Sequence, residues 1–284
     1  MEKNVALVLS SGGARGLAHI GAIEELEAQG YCITSIAGCS MGALIGGVYA
    51  AGKLEEFRAW MKTVDRKKML ELTDFSFSLN HIVKGTRIIE AIMEFVPDIR
   101  IEDLPIPYCA VATDWKSGNE VVMRKGSLFE AIRASISLPS FYEPVQRDGM
   151  ILIDGGVTNP IPLNRVARRE GDILVGIDVS GHDYKAQSEL QHEISEKRKH
   201  SASLSQQILN KLIPDNIDFN YYTMLSRVSS IMIRQNSLLM AQLAKPDVLV
   251  DIQMARYGGF DYDKSEKLIA IGRQKTHQAL PLNV

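Results

Sequence analysis

The pentapeptide Gly38-Cys-Ser-Met-Gly42 sets a hydroxyl between small residues. A strand-like run, Cys32-Ile-Thr-Ser-Ile-Ala37, precedes it, and a helix-like run over 41–51 follows. A serine at a sharp strand-to-helix turn projects its hydroxyl above the sheet edge. Glycines two before and two after it let strand and helix pass at close range. Such a serine can attack an acyl carbonyl, so Ser40 is the candidate nucleophile. The same five residues also suit a glycine-rich turn with a capping serine, so their surroundings decide between the two.

A serine hydroxyl needs a base. Histidine is the usual one, and in α/β-hydrolases it comes last in the order Ser, Asp, His. His81, His182, His192, His200 and His277 follow Ser40. Of these, only His182 is well placed, just past the strand-like run over 173–179; His192 and His200 fall in a polar stretch, and His277 in the terminal helix. The other candidate is Asp154. It follows the apolar Ile151-Leu-Ile153 and precedes Gly155-Gly156, a position at the carboxyl edge of a sheet. Burial there raises a carboxylate's proton affinity and makes it a stronger base. An Asp-Gly pair also starts tight turns, a role that needs no chemistry.

A second glycine-rich loop, Ser11-Gly-Gly-Ala-Arg-Gly16, follows the apolar Val5-Ala-Leu-Val-Leu9. Backbone N–H groups at a helix start favour an anion. A dinucleotide fingerprint would need glycine at position 11 and an acid after strand two, and both are missing. A P-loop would need Gly-Lys-Ser/Thr. The remaining reading is an oxyanion hole built from the amides of Gly12, Gly13 and Ala14, beside Ser40 if strands one and two are neighbours. Arg15 would hold an anionic substrate group or pair with a surface acid. His19, one turn into the helix, reads as a structural histidine.

The elements that position these groups alternate β-α-β-α over 5–51, which predicts an α/β fold with a mainly parallel central sheet wrapped by helices and a helical cap. Further strands are expected at 108–113, 120–123, 151–153, 173–177 and 247–250. Helices are expected at 17–29, over most of 54–95, and at 127–135, 162–169 and 204–243. A closing helix is expected from Asp263, capped by that aspartate with Glu266 three residues on. Residues 185–205 are polar and read as an exposed helix or loop. Phe75-Ser-Phe-Ser-Leu79 and Ile88-Ile89 are either an apolar lid that touches lipid or ordinary core. No repeat and no linker breaks the chain, so 5–284 reads as one domain, with motifs in 5–180, a helical or mobile segment over 185–243, and a closing strand and helix over 247–280.

With 284 residues, 45% of them hydrophobic and 23% charged, the chain has enough apolar content for a sizeable core. A net charge of -2 without a basic tract points away from nucleic acid. Cys32, Cys39 and Cys109 are too few for a disulfide framework, and no Cys/His cluster has zinc spacing. No leader pattern precedes Val5, so a cytoplasmic location is expected. Residues 28–52 lack charge, but their Gly, Ser and Thr content speaks for a buried strand-turn-helix rather than a membrane span.

Taken in order, these segments resemble the patatin-like phospholipases. Ser11-Gly-Gly-Ala-Arg-Gly16 is similar to that family's oxyanion loop, with serine in place of its first glycine. Gly38-Cys-Ser-Met-Gly42 resembles its serine elbow. Ala134-Ser-Ile-Ser-Leu-Pro139, with Phe141 and Pro144, resembles its Ala-Ser-x-x-x-Pro segment, and Asp154-Gly-Gly156 its aspartate motif. The resemblance implies a Ser40–Asp154 dyad without histidine, an oxyanion hole at Gly12, Gly13 and Ala14, and no metal or cofactor. It implies hydrolysis of phospholipids, lysophospholipids or other fatty-acyl esters; an apolar lid at Phe75 to Leu79 and Ile88-Ile89 would add peripheral membrane contact. A histidine-based esterase or thioesterase and a non-catalytic lipid-binding regulator are the alternatives.

Overall fold

The unbroken apolar run of the first strand, β1 (Lys3–Leu9), predicts cover on both faces, and the computed structural model has it so. It describes residues 3–72, 86–139, 142–181, 221–254, 257–258 and 261–280. Val5, Leu7 and Leu9 point into one apolar cluster, and Ala6 and Val8 into another, as the two-residue period of a strand requires.

A 3₁₀ turn (Gly13–Leu17) leads into α1 (Ala18–Ala28), which stops at Gly30, a residue with φ of 77°. β2 (Tyr31–Cys39) and α2 (Met41–Ala50) follow, then α3 (Leu54–Lys62), α4 (Arg66–Leu72) and α5 (Thr86–Met93). Next come β3 (Tyr108–Asp114), β4 (Glu120–Met123), α6 (Leu128–Ser135), β5 (Val145–Arg147), β6 (Met150–Asp154) and β7 (Ile173–Asp178). The last described elements are α7 (Tyr221–Ala244), β8 (Val248–Asp251) and α8 (Ser265–Ala279).

The eight strands form one sheet, hydrogen-bonded along the path β5-β6-β3-β2-β1-β7-β8, with β4 also paired to β3. β3, β2, β1, β7 and β8 run parallel; β4 and β6 pair antiparallel with β3, and β5 pairs antiparallel with β6. The fold is thus the expected mixed α/β type. α1 and α8 pack closely on one face, where glycines let them touch: a methyl on Gly21 would strike the Ile269 carbonyl, and one on Gly272 the Ala18 carbonyl. The other face is covered by Ile161, Leu163 and the end of α7 (Met240, Ala241, Ala244). Arg234 fixes α7 to the sheet. Its guanidinium donates to Asp178 Oδ2 (2.9 Å) and to both Asp251 oxygens (3.0 and 2.7 Å). Those aspartates end the neighbouring strands β7 and β8 in register. Among the described residues no helix is long and apolar enough to cross a membrane.

Two expectations fail, and one open choice is decided. Residues 162–169 form turns, not a helix. Ile161 and Leu163 are both buried against the sheet, and Arg165 is drawn to Glu120 by two hydrogen bonds (2.9 and 2.6 Å). The closing helix starts at Ser265 behind a 3₁₀ turn and has no side-chain cap, so the Asp263–Glu266 capping box does not form. Ile88 and Ile89 are buried with Ile92 in the main cluster and belong to the core, not to a lid. Phe75 to Leu79, Phe141 and residues 185–205 lie outside the described residues.

Candidate active site

Ser40 sits between β2 and α2 with φ of 54° and ψ of -122°. A non-glycine residue rarely holds such angles, which cost on the order of 1–3 kcal/mol and persist where the surroundings over-determine them. The glycines supply the tight fit. A methyl on Gly38 would strike the Gly42 carbonyl and the Ala43 backbone, and one on Gly42 would strike the Leu9 and Ser10 carbonyls. The Ser40 carbonyl already accepts from the Ala43 and Leu44 N–H groups (2.9 and 3.1 Å), so α2 begins at once.

The topology of β3 brings Asp154 to this serine. One edge of β3 carries β4. The other edge carries β2 as far as Val111, paired with Cys39, and then β6 from Ala112, paired with Asp154. β2 and β6 therefore meet end to end along one strand, and the residues where they meet are Ser40 and Asp154. Ser40 Oγ donates to Asp154 Oδ2 at 2.6 Å. Gly156 N–H donates to Asp154 Oδ1 at 2.7 Å. Gly155 must be glycine because a side chain would enter the Val111 carbonyl. Thr113 Oγ1 holds the Asp154 carbonyl at 3.1 Å. The Asp154 carboxyl is buried, and burial pushes its pKa from 3.8 up to about 6, against the two hydrogen bonds, which pull it down. A group titrating near 6 is ionised at neutral pH and is a better proton acceptor than a solvated carboxylate.

β1 and β2 are parallel neighbours, so the Ser10–Gly16 loop lies beside the elbow. A methyl on Gly16 would strike the Met41 side chain, and one on Gly156 would stand 3.1 Å from Ser11 Oγ. The Ser11 N–H is taken by the Pro160 carbonyl at 2.8 Å. Gly13 and Ala14 open the 3₁₀ turn, where the first amides of a helix have no partner within it. Among the described residues no backbone acceptor takes the Gly12 N–H. Arg15 Nε donates back to the Gly12 carbonyl at 3.3 Å, so this guanidinium braces the loop.

His19 is structural. A carbonyl can only accept, so His19 Nε2 carries the proton and donates to Ser10 O at 2.9 Å. Burial lowers its pKa to about 4 and keeps it neutral. His277 is engaged on α8 with Glu25 Oε1 at 2.8 Å and Gln29 Nε2 at 3.1 Å. His182 lies outside the described residues. Among the described side chains, Asp154 is the carboxylate to which Ser40 Oγ donates.

Sequence reasoning gave no role to Thr113, nor to Ser135 within the Ala134–Pro139 segment. The Ser135 hydroxyl accepts the Ser40 N–H at 2.8 Å. A serine between apolar helix residues in Ala131-Ile-Arg-Ala-Ser135 was the available signal, because a polar group buried there needs partners. Among the described residues no group of His, Cys, Asp and Glu could hold a metal ion.

The family model described as patatin-like phospholipase matches residues 7–167. An uncharacterized NTE family protein of Mycobacterium tuberculosis is 45% identical over 179 residues, which is 63% of this chain and 50% of that one. The neuropathy target esterase sws of Drosophila melanogaster is 31% identical over 187 residues, 63% of this chain and 13% of that one. The chain thus spans half the length of the first of these relatives and less of the second. VipD from Legionella pneumophila aligns with 98% of this chain and 66% of its own at 14% identity, with a TM-score of 0.49, too slight a likeness to bear on the site.

Proposed function

Because the chain belongs to the patatin-like phospholipase family, we propose that it is a lipid acyl hydrolase in which Ser40 is the nucleophile and Asp154 its base. The observation that carries this is the 2.6 Å hydrogen bond between the strained elbow serine and a buried carboxylate. Asp154 takes the Ser40 proton as Oγ attacks the ester carbonyl. The amides of Gly12, Gly13 and Ala14 receive the developing oxyanion; one such donor contributes about 3 kcal/mol at the transition state. The C–O bond then breaks, and the leaving alcohol takes the proton from Asp154. The acyl-enzyme is resolved by a water that gives its proton to Asp154. Ser40 recovers its proton as the fatty acid leaves.

The substrates in this reading are phospholipids, lysophospholipids or other fatty-acyl esters, and no cofactor enters the steps. One continuous sheet supports treating 5–284 as a single domain, acting in the cytoplasm and touching membranes peripherally. Exposed apolar side chains support the membrane contact: Trp115 beyond the carboxyl end of β3, Val157 beside the base, and Met224, Leu225, Val228 and Met232 on α7. Liposome co-sedimentation with and without Trp115 tests it.

The function itself is tested by an acyl-ester panel with Ser40→Ala as the blank. Hydrolysis that falls on the order of 10³-fold or more in Ser40→Ala and in Asp154→Asn supports the dyad; activity retained in either variant sinks it.

A further inference from the structure

The exit of α6 touches both halves of the candidate dyad. Ser135 is wholly buried, and its hydroxyl lies 2.6 Å from the Val111 carbonyl. That carbonyl can only accept, so the Ser135 proton points to it. The hydroxyl can then only accept from Ser40, whose N–H it meets at 2.8 Å. Two residues on, the Ser137 carbonyl accepts the Asp154 N–H at 2.9 Å. Ser137 is itself held: its hydroxyl donates to the Arg133 carbonyl at 2.8 Å and accepts from Arg133 Nη1 at 2.6 Å.

We propose that Ser135 is a positioning residue for the hydrolysis, and that the segment from Ser135 to Ser137 sets the separation of Ser40 and Asp154. The proposal rests on the reading of Ser40 as nucleophile. β2 and β6 are not hydrogen-bonded to each other; each borders β3. The gap where they meet is bridged by side chain on the Ser40 side and by main chain on the Asp154 side. Ser135 also takes up the elbow N–H, so that amide is not among the oxyanion donors. Without the hydroxyl, a buried N–H loses its acceptor and the strained turn loses one of its constraints.

The test is steady-state kinetics of the full chain on a soluble short-chain acyl ester, with Ser135→Ala, Ser135→Cys and Ser135→Thr beside wild type and Ser40→Ala. A reacting group displaced by about 1 Å costs on the order of 10²-fold, so kcat should fall roughly 10- to 100-fold in Ser135→Ala. KM should stay within about twofold, because binding is untouched. Ser135→Thr keeps the hydroxyl and should recover most of kcat; Ser135→Cys, a weaker acceptor of similar size, should fall between. The rate at which a fluorophosphonate labels Ser40 should follow the same order. Thermal unfolding identifies which variants fold, and if Ser135→Ala does not, the Cys and Thr pair carries the comparison. Wild-type kcat in the Ala or Cys variant overturns the role, as does a loss that Thr does not recover. If Ser40→Ala is itself active, the dyad reading falls; if Ser40→Ala is dead and Ser135→Ala fully active, the positioning role alone falls.

Discussion

Ser40 Oγ and Asp154 Oδ2 stand 2.6 Å apart although 114 residues separate them in the chain. The contact predicts a pH profile. The free carboxyl titrates at about 6 because burial outweighs its hydrogen bonds. Only the ionised form can take the serine proton, so kcat/KM should rise with pH through about 6 and level off above it. A limb near 4 would mean a solvated carboxylate instead. A limb that survives in Asp154→Asn would mean another base.

The same burial acts on stability, and His19 opposes it. Asp154 has its pKa raised from 3.8 to about 6 on folding. Its contribution is therefore present below 3.8 and lost as pH rises through about 6, a change of about 3 kcal/mol. His19 has its pKa lowered from 6.5 to about 4. Its contribution is present above 6.5 and lost as pH falls through about 4, again about 3 kcal/mol. Between these limits the two largely cancel. Thermal unfolding at pH 7 and pH 4.5 should separate them. Asp154→Asn should lose more Tm on acidification than wild type, and His19→Gln should lose less. Equal losses in all three would remove the linkage.

What was legible in the sequence was local. The elbow and the aspartate motif each fall within five residues, and their glycines are dictated by contacts of adjoining elements, Gly38 against Gly42 and Gly155 against Val111. Strand β5 was missed, although Asp148-Gly149 marked its hairpin: both residues have positive φ, at 50° and 76°. Three strand residues are too few for a period to show. The helix expected over 162–169 failed because local propensity gave way to the burial of Ile161 and Leu163 and to the pull of Glu120 on Arg165. Ser135 stands in the quoted Ala134–Pro139 segment, but the group it meets could not be read from the sequence. Its partner Ser40 is 95 residues away, and only the register along β3 brings the two together.

Arg234 should matter to α7 more than a surface arginine would. It is 12% exposed and bridges Asp178 and Asp251, and Asp178 is more deeply buried still. Breaking a buried ion pair from one side leaves the other charge stranded, at a cost of about 3–5 kcal/mol. Burial raises the Asp178 pKa even with Arg234 present, so protonation should relieve part of that cost in acid. Arg234→Met should therefore lower Tm more at pH 8 than at pH 5 and speed hydrogen exchange over 221–244. Adding Asp178→Asn should restore part of the loss. An Arg234→Met protein with wild-type Tm and exchange would mean that apolar packing alone holds the helix.

The glycine loop over 11–16, proposed as the oxyanion hole, admits a test with its own rescue. Gly12 has φ of 175°, outside the left-handed range that favours glycine. What forbids a side chain there is Val179: a methyl on Gly12 would run into Val179 Cγ2, while Val179 Cβ would stand at an ordinary 3.5 Å. Gly12→Ala should therefore displace the loop from its present position by collision with Val179. If the Gly12 amide is an oxyanion donor, losing its aim should lower kcat on the order of 10²-fold with little change in KM. Val179→Ala removes the obstructing methyl. The double variant Gly12→Ala/Val179→Ala should then recover much of kcat, although Val179→Ala alone destabilises the core by about 1–3 kcal/mol. The readout is kcat at a temperature where all three variants are folded. Full activity in Gly12→Ala would remove this amide from the hole. A loss that the double variant does not recover would place the effect in the alanine itself rather than in its collision with Val179.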